Sequence, residues 1–91
     1  MIRDGYTRLC SEMILAAVLD LANEKILLLS PGGPSQIASA NNWLFREGWG
    51  AISLNTCCAL LEMSIGTIRR WARQCRAKGI LEPLTKEVDL K

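Results

Sequence analysis

A chain of 91 residues holds one core, since separate cores form only at roughly twice that length or more, so a second domain is excluded. Its apolar share of 49% is high for a globular chain, and so small a domain leaves much apolar surface uncovered when it folds alone; a dimer or a partner is therefore expected. The net charge of +2 arises without any histidine, which removes the commonest general base and, with no CxxC among the four cysteines, the usual ligand sets of structural zinc.

The first apolar stretch, residues 13–29, is too short to span a bilayer, because Asp20, Asn23, Glu24 and Lys25 interrupt it. Arg3 and Arg8 ahead of MILAAVL imitate a signal peptide, but Glu12 and Asp20 break the apolar region and no A-x-A site follows. Leu9, Met13, Ile14, Ala17, Val18 and Leu21 fall three and four apart, which predicts a helix over about 7–25 with these residues inward. Leu15 and Leu19 lie off that stripe and either widen the buried face or supply a dimer contact. The run 26–29 either extends the helix, the preferred reading, or forms a short extended segment.

The SPGGP run at 30–34 ends this element, since its prolines remove donors and its glycines turn the backbone. A second helix is predicted from about Pro34, suited to a first helical position, to Glu47, carrying Ile37, Ala38, Ala40, Asn41, Trp43, Leu44 and Phe45. Gly48 and Gly50 make a loop around Trp49. Trp43, Phe45 and Trp49 are read as a hydrophobic cluster between helices rather than a platform for stacked bases.

Ser53 is a good N-cap for a third helix over about 54–62, with Thr56 in its first turn. Ser64 can cap a fourth over about 65–78, and Gly79 is the residue type expected just past a helix end. The tail 82–91 is charged and carries Pro83, so a frayed or extended end is expected. The predicted fold is all-α, a compact four-helix domain over 1–91. Cys10, Cys57, Cys58 and Cys75 include no CxxC, and the vicinal pair sits among Leu54, Leu60 and Leu61 in helical period. They are read as free buried thiols of a reduced, cytoplasmic protein.

From Ser53 the string SLNTCCALLEMSIGTIRRWAR resembles the helix-turn-helix of bacterial and phage regulators, which places that motif at 53–79. Cys58 holds the small-residue slot of the first helix. Leu61, Met63, Ile68 and Trp71 fall at the apolar positions of the turn and second helix, and Ser64 and Thr67 match the S-x-x-T that opens the recognition helix. The family usually has glycine right after the first helix. Here that residue is Glu62, so either a glutamate takes positive φ or the turn has another geometry.

Charge gives separate support: 63–81 hold Arg69, Arg70, Arg73, Arg76 and Lys78 and no acid, whereas 1–62 are net acidic. The spacing sets Arg69, Arg73 and Arg76 on one face with Arg70 beside them, and Ile68, Trp71 and Cys75 on the other. A solvated helix face is the plain alternative, made less apt by the missing acids. Carried over to this chain, the resemblance implies base contacts from Ile65, Thr67 and Arg69, past a bare Gly66. It implies phosphate contacts from Ser64, Arg70, Arg73, Arg76 and Lys78. With few base-reading groups, sequence preference should be modest and a homodimer needed to reach two half-sites. RAKGILEPL also resembles the lead-in to the wing of winged-helix regulators, which gives a second reading as a truncated winged helix. The wider arrangement resembles small helical proteins of phages and prophages.

No enzyme is expected: histidine is missing, no carboxylate pair accompanies a nucleophile, and the thiols have no evident base. GGPS lacks the lysine and preceding strand of a phosphate loop and is read as a turn. No cofactor and no metal are expected. The ligand is read as double-stranded DNA. The rival is a phage-type protein-interaction module on the same scaffold, binding a host protein such as RNA polymerase or a defence component.

Overall fold

The structure, a computed structural model, describes residues 2–46 and 52–82. Among them are five helices and no strand: α1 (Ile2–Ala22), α2 (Glu24–Leu27), α3 (Gly33–Phe45), α4 (Leu54–Leu61) and α5 (Ile65–Lys78). The radius of gyration, 13.2 Å, is near the roughly 12 Å of a compact chain this long.

α1 is central, packed broadly against α3, α4 and α5. Cys10, Ile14, Ala17, Val18, Leu21 and Ala22 form its buried face. The expected stripe was right for Ile14, Ala17, Val18 and Leu21, but Leu9 is 43% exposed, because three partner helices centre the buried arc on Ile14 and Leu21. Leu15 and Leu19 are exposed, so they do not widen the buried face.

The single first helix expected over 7–25 is two elements, so the architecture has five helices rather than four. α1 ends at Ala22, Asn23 adopts φ −96° and ψ 19°, and its carbonyl then starts α2 by accepting from Ile26 and Leu27. Past Leu27 the chain turns through Ser30 and a left-handed Gly32 (φ 80°) into α3. The start of α3 lies against the end of α2 so closely that a Cβ on the buried Gly33 would overlap the Leu27 carbonyl. Only glycine fits there.

α3 buries Ile37, Ala40 and Leu44. Trp43 and Phe45 are half-buried against the core, and the Trp43 indole donates to the Ile52 carbonyl at 3.0 Å. Trp49 and its flanking glycines lie outside the described residues. Ser53 caps α4 as expected, its Oγ accepting from the Thr56 N–H at 3.2 Å. Residues 80–82 form no strand, and the rest of the expected tail lies outside the described residues. No helix among the described residues is long and apolar enough to cross a membrane.

Candidate nucleic-acid interface

Three residues, Glu62, Met63 and Ser64, separate α4 from α5. Glu62 adopts φ 56° and ψ 44°, the left-handed conformation usually left to glycine. Its N–H donates to the Ala59 carbonyl at 3.3 Å and the next N–H, of Met63, to Cys58 at 2.9 Å. These two bonds close a Schellman turn and satisfy the last carbonyls of α4. The alternative left open by the sequence is thereby decided: positive φ is kept, with a glutamate in it.

α5 starts at Ser64, whose carbonyl accepts from Ile68, while its side chain makes no capping bond. The helix buries Ile68, Trp71, Ala72 and Cys75. At 3.6 residues per turn these four lie within an arc of about 100°, and the opposite direction falls among Gly66, Arg70, Arg73 and Ala77. The outward cations are therefore Arg70 and Arg73. Arg69 and Arg76 sit on one flank, Thr67 and Lys78 on the other, and Ile65 and Thr67 are half-buried at the helix start.

The flanking cations are tied into the fold. Arg69 Nε donates to the Leu44 carbonyl at 2.8 Å, filling an orphan acceptor in the last turn of α3. Arg76 grips Glu24 of α2 with two hydrogen bonds, at 2.8 and 2.6 Å. That contact lowers the Glu24 carboxyl below its ordinary value of 4.5 and raises the guanidinium further above its own. Lys78 pairs with Glu82 at 3.0 Å. Arg73 stands over the Phe45 ring, 5.0 Å from its centre. Arg70 is exposed and has no partner among the described residues.

No family model, curated protein or solved structure matches the chain.

The predicted contact residues thus divide into two groups. Arg70 and Arg73 stand on the outward line of α5, with Ser64 exposed at its start, whereas Arg69, Arg76 and Lys78 have partners inside the molecule. Local spacing could not set Arg69 and Arg76 apart, because their partners Leu44 and Glu24 lie 25 and 52 residues away. Sequence reasoning also left out Phe45 and Arg46, which α3 brings beside α5; no pattern within α5 points to them.

The thiols offer no reactive group. Cys10, Cys57, Cys58 and Cys75 are free and buried. Burial pushes the Cys57 thiol up to about 12, helped by a hydrogen bond with Cys10; Cys58 is also raised, mainly by burial, against a smaller opposite pull from Arg69. Among the described residues, no group of three or more His, Cys, Asp or Glu side chains is placed to hold a metal ion. An apolar groove of about 490 Å³ lies on another side of α5, where Ile14, Leu15, Leu61, Met63 and Trp71 are among its walls.

Proposed function

We propose that residues 53–79 form a helix-turn-helix and that the chain is a small DNA-binding protein, a transcriptional regulator of a phage or other mobile element. In this reading α5 lies in the major groove of double-stranded DNA. The observation that carries it is the division of α5 into a buried apolar arc and an opposite line that presents Arg70 and Arg73 with no carboxylate partner among the described residues. The left-handed turn at Glu62, where the motif calls for positive φ, supports the same reading.

The roles follow from these positions. Arg70 and Arg73 hold phosphates along one edge of the groove, and Ser64 offers a hydroxyl at the helix start. Ile65 and Thr67 approach base edges through a methyl contact and one hydroxyl. Arg69, with its Nε–H committed to Leu44, can reach a base only through its terminal nitrogens. So small a base-reading set gives modest sequence preference, and a homodimer supplies two half-sites.

Titration of a labelled duplex at several salt concentrations tests the proposal. Each phosphate contact contributes about −0.9 to the log-log slope, so Arg70 and Arg73 together supply about −1.8 of it per copy, and Arg70→Ala or Arg73→Ala each removes about 0.9 per copy while thermal unfolding stays in place. Unchanged affinity in both variants would sink the nucleic-acid reading.

A second reading, a protein-binding module on the same scaffold, is favoured by the apolar groove beside the α4–α5 turn and by the internal pairing of Arg76 and Lys78. It predicts no salt-dependent duplex binding.

A further inference from the structure

We propose that Arg46, at the end of α3, is a third phosphate-holding residue of the DNA-contacting surface; the inference rests on the reading of α5 as the helix that enters the major groove. Arg46 lies outside residues 53–79 and belongs to no motif in the sequence. The fold carries it to the flank of α5.

Two contacts put it there. Arg69 reaches the Leu44 carbonyl at 2.8 Å, and Arg73 covers the Phe45 ring at 5.0 Å from its centre. Consecutive residues of α3 are thus held by arginines one turn apart on α5, and Arg46 is the next residue along. Its backbone leaves the helix in an extended conformation, φ −120° and ψ 151°, with its N–H still bonded to the Asn42 carbonyl at 2.9 Å. The anchored backbone and exposed side chain fix where the guanidinium starts without occupying it, and no partner for it is found among the described residues.

An α-helix with its side chains is about 10–12 Å across and fills a major groove about 12 Å wide, so what sits on its flank meets the phosphate strand bounding the groove. The Arg69 and Arg73 side of α5 is the flank that reaches the end of α3. A guanidinium there can take a phosphate in a two-pronged hydrogen bond, and Arg73, steadied by Phe45, lies between Arg46 and Arg70. The three arginines then follow one strand edge.

A plainer role for Arg46 is to offset the negative end of the α3 dipole. That role affects stability and leaves the salt dependence of DNA binding alone, so the two are separable. In the full chain, duplex titration across salt is expected to give a slope near −2.7 per bound copy from three contacts, at roughly 0.9 each. Arg46→Ala should reduce it by about 0.9 with an unchanged unfolding midpoint, while Arg46→Lys, which keeps the charge, should restore most of it. If Arg70→Ala and Arg73→Ala lower the slope and Arg46→Ala does not, the inference about Arg46 fails and the reading of α5 stands. If none of the three changes the slope, both are overturned.

Discussion

Glu62 holds a backbone conformation that a side chain resists, and its two turn bonds show what keeps it there. An L-residue in the left-handed region costs about 1–2 kcal/mol, whereas glycine adopts it freely but loses about 0.5–1 kcal/mol more chain entropy on folding. Glu62→Gly is therefore expected to stabilise the protein by up to about 1 kcal/mol, seen as a higher urea midpoint at unchanged slope. A lower midpoint would mean that the glutamate side chain contributes something the turn geometry does not reveal. At this scale the sequence exposed the anomaly, a glutamate where glycine is usual, but not its resolution. A single φ is set by how α4 and α5 meet, and that contact is not written in local spacing.

Between elements, the joint of α2 and α5 is the most exposed to solution conditions. The Arg76 guanidinium, by hydrogen bond first and charge second, holds Glu24 below its ordinary 4.5. A carboxyl with a lowered folded value stabilises the fold above its unfolded value, and that share is lost as pH falls through the folded value. Below about pH 4.5, wild type should therefore lose stability faster than Glu24→Gln, in unfolding curves taken at successive pH values. Parallel curves would show that the pair does nothing in solution. Both partners are partly exposed, so the difference at neutral pH should stay under about 1 kcal/mol and shrink with salt. Local signals placed α4 and α5 well: Ser53 caps, Ser64 starts, and Gly79 turns left-handed (φ 74°) with its N–H on the Cys75 carbonyl. They failed at Asn23, because neither proline nor glycine marks the break. They also grouped Arg69 and Arg76 with the outward arginines, since helical spacing gives angles around an axis and not which neighbour occupies each angle.

Across the whole molecule, the four thiols report on the integrity of the core. Each is buried, and Cys57 is pushed up to about 12, so native protein should react with a thiol reagent at mildly alkaline pH only as fast as it opens, and fully once denatured. A thiol that reacts at once in the native state would contradict this arrangement. Composition and the absence of CxxC sufficed to read the cysteines as free and buried; that Cys10 would meet Cys57 across two helices was not legible, because nothing local couples positions so far apart. The central place of α1 governs how the chain comes to exist at all. α1 leaves the ribosome before its companions α3, α4 and α5, the last of which ends at Lys78. Until those segments follow, the greasy side of α1 stays bare, open to chaperones and proteases. A product terminated before α5 would lack both its arginines and part of the cover over α1, and would be cleared as debris instead of lingering as a competitor.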